Sequence, residues 1–204
     1  MHTQGIPDIN ISSEDHTCYE IQTAGADGMC HIFPVFLDHI LNPTLRDRQF
    51  MTEVYHIDGQ GKDQGVVYCE MASRENTEAD LLDLEMRRLI YNRGSTYSFE
   101  CGGLTKDISK LNNTDVKQYH QTYYHVDNLA AIICGTIDPE TLFESIYNYG
   151  GLLENNGCDQ QVHSINISPL KKRRDRYLSS TVKFPSSETE IGSISYGNAN
   201  ITLN

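Results

Sequence analysis

The feature that most constrains the fold is residues 129–135 (LAAIICG), followed almost at once by Asp138-Pro139-Glu140. An uncharged run with β-branched residues reads as a strand covered on both faces. A capping aspartate, a proline in the first turn and then an acid read as a helix start. That helix is expected to run to about Tyr149 and to stop at Gly150-Gly151. A strand buried on both faces needs sheet beside it and helices above and below. The chain is therefore expected to be α+β, with helices packed on a mixed β-sheet.

The remaining pattern fits that frame. Residues 16–23 (HTCYEIQT) alternate like a strand. Residues 26–41 place Met29, Ile32, Phe33, Phe36, Leu37, Ile40 and Leu41 at helical spacing, with Pro34 near the first turns and Asn42-Pro43-Thr44 as the stop. Residues 50–57 read as a strand or an irregular link. Residues 61–91 read as one long helix or a broken pair, acidic early and arginine-rich late, which suits the helix dipole. Residues 94–103 read as a glycine-containing loop and 105–111 as a short helical turn. Asn113 or Thr114 can cap a helix to about Tyr124. No glycine-rich loop joins a strand to a helix, which excludes a Rossmann unit.

Composition narrows the function classes. With 28 acidic against 16 basic residues the net charge is −12. Phosphate contacts need a basic face, so no nucleic acid is expected as a partner. No apolar run reaches 18 residues, so no membrane span is expected. The polar, acidic start MHTQGIPDIN resembles neither a signal nor a transit peptide, which gives the expectation of a cytoplasmic protein. Six cysteines without a CxxC pair are expected to be free, buried thiols.

Glu70 and Asp63 are the candidate site residues. Glu70 follows the apolar Gly65-Val66-Val67 stretch, where a helix could hold a carboxylate rigidly enough to ligate a metal. An ordinary helix carboxylate facing water fits the same spacing. Asp63, seven residues earlier, would lie two turns away on one helical face. None of the eight histidines is four residues from another, so no self-contained histidine zinc motif is present. No G-x-S-x-G occurs, and Cys101 before Gly102-Gly103 reads as a loop cysteine. No residue is assigned a catalytic role. The basic run at 171–176 (KKRRDR) reads as a solvated linker or a nuclear localisation patch.

Six segments together resemble the pitrilysin/insulinase family of zinc metallopeptidases, in its presequence-protease-like branch. They are 15–25 (DHTCYEIQTAG), 33–45 (FPVFLDHILNPTL), 52–71 (TEVYHIDGQGKDQGVVYCEM), 87–104 (RRLIYNRGSTYSFECGGL), 118–143 (QYHQTYYHVDNLAAIICGTIDPETLF) and 182–197 (VKFPSSETEIGSISYG). The resemblance implies a metallohydrolase-type α+β domain that encloses peptide substrates. It implies zinc held by two histidines of an inverted H-x-x-E-H motif and by a later glutamate, with the motif's own glutamate activating water. Glu70 matches the later, ligating glutamate. Asp63 falls where the family places a supporting acid, with aspartate where glutamate is common.

The H-x-x-E-H segment belongs more than 69 residues before Glu70, and the chain does not contain it. The resemblance therefore implies part of a zinc metalloendopeptidase, inactive as an isolated chain. The alternative is a non-catalytic homologue with a binding or assembly role. The expected organisation is an incomplete peptidase-like domain over 1–151, a linker with its basic run over 152–180, and the start of a truncated second domain over 181–204.

Overall fold

The computed structural model describes residues 6–91, 94–149 and 178–183. Within them the order is β1 (Ile6–Ser12), β2 (Thr17–Gln22), α1 (Gly25–Leu41), α2 (Asp47–Glu53), β3 (His56–Ile57), β4 (Asp63–Gln64), α3 (Val66–Arg74), α4 (Glu78–Ile90), α5 (Thr105–Ile108), α6 (Asn113–Tyr123) and α7 (Pro139–Asn148). The result is helix-rich α+β. The described strands form two separate two-stranded sheets, β1–β2 and β3–β4, rather than one mixed sheet.

The chain divides into two units, each built from separated stretches. The first comprises Met1–Ile11, Cys18–Asp47 and Asn112–Ile165. Its core is Phe33 and Leu37 of α1 against Leu142 of α7, lined by Met29, Cys30, Phe36, Ile133, Ile137 and Ile146. The spacing of Phe33, Leu37 and Leu41 puts one face of α1 inward every turn. Pro34 lies mid-helix and buried, not near the first turns. The helix runs through the bond that Pro34 cannot donate because its apolar face is packed on both sides of it. Asp138 caps α7 as expected: its Oδ2 accepts from the Thr141 amide at 2.9 Å and the Thr141 hydroxyl at 2.7 Å. The cap of α6 is Asn112, one residue before the expected positions. Asn112 and Asp115 form a reciprocal capping box.

Residues 129–135 are not a strand. Ile133 reaches the core, but Ile132 is 89% exposed. An apolar run becomes a buried strand only where neighbouring strands supply hydrogen-bond partners. Neither described sheet includes it.

The second unit comprises Ser12–Thr17, Arg48–Leu111 and Asn166–Asn204. Among the described residues its buried apolar side chains are Met71 of α3, Leu84 of α4 and Ile108 of α5. The 61–91 stretch is a broken pair of helices preceded by β4, and the expected strand or link at 50–57 is helical over 50–53, the end of α2, with only His56–Ile57 in a strand. Thr77 separates α3 from α4. Its Oγ1 accepts from the Asp80 amide at 3.2 Å and donates to Asp80 Oδ2 at 2.6 Å.

Arg87, 13% exposed at its side chain, gathers three carboxylates in this unit. Its guanidinium lies 3.3 Å from Glu14, 2.9 Å from Glu100 and 2.9 Å from Asp83. It also donates to the Phe99 carbonyl at 2.8 Å.

Five cysteines are described and all are free; four are exposed and only Cys30 is half-buried, so the expected burial does not hold for them. Residues 181–184 (TVKF) read as a short strand, but 181–183 carry no regular structure. Residues 191–196 (IGSISY), which read as a second short strand, and most of the 152–180 linker lie outside the described residues.

Candidate functional site

Asp63 and Glu70 sit on the short path from β3 to α3, within the second unit. β3 and β4 pair antiparallel, with His56 opposite Gln64 and Ile57 opposite Asp63. Asp58 builds the turn between them: its Oδ1 accepts from the amides of Gln60 at 2.8 Å and Lys62 at 2.9 Å. Those amide bonds hold the Asp58 carboxyl below the ordinary carboxylate range.

Gly65 joins β4 to α3 at φ +124°, ψ 145°. A Cβ there would meet the Val54 carbonyl oxygen at 2.3 Å. Only glycine lets the chain turn into α3 this close to the 54–55 backbone. The approach allows the Tyr68 amide to bond the Val54 carbonyl at 3.3 Å.

Asp63 therefore lies before the helix, not two turns along it from Glu70. The intervening glycine breaks the helical register on which that geometry depended. Its carboxylate is held from two directions. Tyr55 donates to Oδ1 at 2.6 Å and Tyr68 to Oδ2 at 3.2 Å. The two rings lie 5.2 Å apart. The Asp63 hydrogen bond, with burial adding, pushes the Tyr55 phenol up to about 12. Burial first, then Asp63, raises Tyr68 as well.

Glu70 projects from the exposed side of α3, its side chain 61% accessible. Among the described residues its carboxylate has one charged partner, Arg74, at 3.8 Å one turn on. Arg74 is closer to Asp80, at 3.1 Å. The Thr77 hydroxyl and Arg74 together hold Asp80 below its ordinary value. The neighbouring Met71 is buried and anchors the helix from behind. A Cβ on Gly102 would come within 2.4 Å of the Met71 sulfur, so the 101–103 loop passes directly over it. At the end of α3, Glu75 accepts from the Thr105 amide at 3.0 Å and the Thr105 hydroxyl at 2.5 Å. The helix bearing Glu70 is thus fixed at its start, its middle and its end.

A zinc ion needs three or four donors converging within about 2–2.3 Å. Among the described residues no group of three or more His, Cys, Asp or Glu side chains could hold a metal. Several histidine rings lie at hydrogen-bond distance from backbone carbonyls: His56 from Met51, His31 from Asp27 and His120 from Ile40. The described donor set alone therefore does not fit zinc. Partial desolvation of the otherwise exposed Cys101 thiol and the charge of Glu14 raise it against the lowering by Arg87, the opposite of an activated thiolate.

Sequence reasoning missed Tyr55 and Tyr68. The signal was the turn sequence Asp58-Gly59-Gln60-Gly61, which folds residue 55 back toward residue 63. It also missed Arg87, although an arginine three positions after the buried Leu84 lies on the packed side of α4.

Residues 110–198 match the peptidase M16 inactive domain. The chain is 36% identical over 185 residues to an uncharacterized protein of Saccharomyces cerevisiae, covering 88% of this chain and 18% of that protein. It is 34% identical over 200 residues to an uncharacterized protein of Schizosaccharomyces pombe, covering 92% and 18%. The mitochondrial presequence protease of Xenopus tropicalis is 26% identical over 147 residues, covering 67% and 14%. These likenesses support membership of the peptidase M16 family. The chain spans less than a fifth of the length of these curated relatives.

Proposed function

We propose that this chain is the acid-bearing segment of an M16-type zinc metalloendopeptidase of the presequence-protease-like branch, and that it does not cleave peptides by itself. In this reading Glu70 is the carboxylate ligand, Asp63 the supporting acid, and the partner a peptide substrate enclosed by a metallohydrolase-type domain. The organisation read from the sequence belongs to the same proposal: a peptidase-like domain over 1–151, a linker over 152–180 and the start of a further domain over 181–204.

The observation that carries the reading is the state of Glu70. It is an exposed carboxylate on a helix anchored at three points, with only a long ion pair to displace. Two histidines and a general base would have to come from an H-x-x-E-H segment outside these 204 residues.

Zinc titration by calorimetry and a quenched-fluorescent peptide assay on the purified chain test the proposal. No stoichiometric zinc and no cleavage are expected. Adding a family polypeptide that supplies an H-x-x-E-H segment is expected to create zinc binding that Glu70→Gln weakens at least tenfold. Zinc binding and cleavage by the chain alone, both abolished by Glu70→Ala, would refute the first part. Indifference of the reconstituted site to Glu70→Gln would refute the second.

A second reading has its own support. The matching family model describes the inactive domain, which favours a non-catalytic homologue with a binding or assembly role. Reconstitution that gives a stable complex without zinc or cleavage would favour it.

A further inference from the structure

The two acids of the candidate site are in opposite states, and two tyrosines make the difference. Each oxygen of Asp63 already accepts a phenol hydrogen bond, 2.6 Å from Tyr55 and 3.2 Å from Tyr68. The donors come from different places: Tyr55 from the link after α2, Tyr68 from the first turn of α3. Two directional bonds from separate elements fix both the position and the plane of a carboxylate, where one bond would leave it free to rotate. Among the described residues the Glu70 carboxylate accepts no hydrogen bond; Arg74 lies 3.8 Å away.

We propose that Tyr55 and Tyr68 are positioning residues: a phenol clamp that commits Asp63 to a fixed acceptor role, ties β4 to the first turn of α3, and leaves Glu70 as the free carboxylate of the pair. The proposal deepens the functional reading above, since it matters to function only if Asp63 is a site acid.

An ionised carboxylate offers about four lone-pair directions, and the clamp fills two. Asp63 keeps acceptor capacity for about two further donors without moving. Glu70 can reorient freely toward whatever approaches α3. The clamp also explains why Gly65 can be so tightly bent. The Tyr68–Asp63 bond spans the glycine and closes the β4–α3 corner.

Nuclear magnetic resonance of the full chain labelled with [13Cζ]tyrosine reads the clamp directly. Asp63→Asn is expected to move the Tyr55 and Tyr68 signals and to leave the other tyrosines of the 12 in place. Tyr55→Phe and Tyr68→Phe each remove one hydroxyl and keep the ring, so folding is retained. Each is expected to move the signal of the remaining partner. Tyr68→Phe should also speed amide exchange at Tyr68 and Cys69 about fivefold. Glu70→Gln should move neither signal.

Unmoved Tyr55 and Tyr68 signals in Asp63→Asn, or a uniform shift of all tyrosines, would overturn the clamp. Glu70→Gln moving both signals would overturn the division of roles. The zinc assays above do not enter this result, so a failed clamp and a failed ligand assignment are told apart.

Discussion

Replacing Gly65 by alanine should uncouple α3 from the hairpin before it. The new Cβ would sit 2.3 Å from the Val54 oxygen, 2.7 Å from the Val54 carbonyl carbon and 2.9 Å from the Tyr55 Cα. All three are backbone atoms, so no side-chain rotation relieves the overlap. A φ of +124° with ψ 145° adds strain of about 1–3 kcal/mol for a residue with a Cβ. Forced displacement of packed backbone adds roughly 1–3 kcal/mol more. A total near 3 kcal/mol corresponds to a fall in melting temperature of roughly 6–12 °C for a chain of this size.

Gly102 supplies the internal comparison. A Cβ there meets only the flexible end of Met71, at 2.4 Å from its sulfur. Met71 can change rotamer, so Gly102→Ala should cost about 1 kcal/mol. Urea denaturation followed by circular dichroism, with amide exchange at residues 66–71, measures both. Gly65→Ala within about 0.5 kcal/mol of the parent, or no worse than Gly102→Ala, would show that backbone contact does not set the start of α3.

Three further outcomes are expected. Met71→Ala removes a side chain that is 4% exposed, and should cost about 2–4 kcal/mol by denaturation while leaving α1 and α7 unaffected in amide exchange. Asn112→Ala breaks the capping box of α6 and should cost about 1 kcal/mol, read as faster exchange at Thr114 and Asp115.

Arg87→Met leaves Glu14 and Glu100 facing each other without their cation. The cost should be about 2 kcal/mol, below that of a fully buried pair because Glu14 and Asp83 reach water. Its backbone amide first, then the Ser13 hydroxyl and Arg87, hold the Glu14 carboxyl below its ordinary value of 4.5. A depressed folded value stabilises above pH 4.5 and is lost as pH falls through it. Stability should therefore drop on acidification below pH 4.5, and Arg87→Met should flatten part of that drop. An unchanged pH profile in the variant would count against the pairing.

What was legible in the sequence was what depends on neighbours along the chain. The 3.6-residue spacing of Phe33, Leu37 and Leu41 located α1 despite Pro34, and Asp138-Pro139 located the start of α7. Residues 129–135 misled because their composition describes a strand but cannot say whether a partner strand is beside them. α2 was missed because Asp47–Glu53 buries no residue and so carries no apolar stripe. The site divided along the same line. Glu70 on a helix was readable from its flanking residues. The corner at Gly65, which removes Asp63 from that helix, depends on a contact with Val54 that follows only once the 58–61 turn is recognised as a hairpin.

The pairing of α1 with α7 has a consequence during synthesis. Leu37 and Leu142 are 105 positions apart, with α2 to α6 between them. At roughly 5–20 residues per second, α1 waits about 5–20 s on the ribosome before Leu142 is made. Phe33 and Leu37 stay uncovered by α7 for that interval. Most of the second unit emerges first, so it can begin to fold while the unit that starts the chain cannot be completed. The nascent chain thus carries an apolar helix face that chaperones could bind until translation passes residue 142.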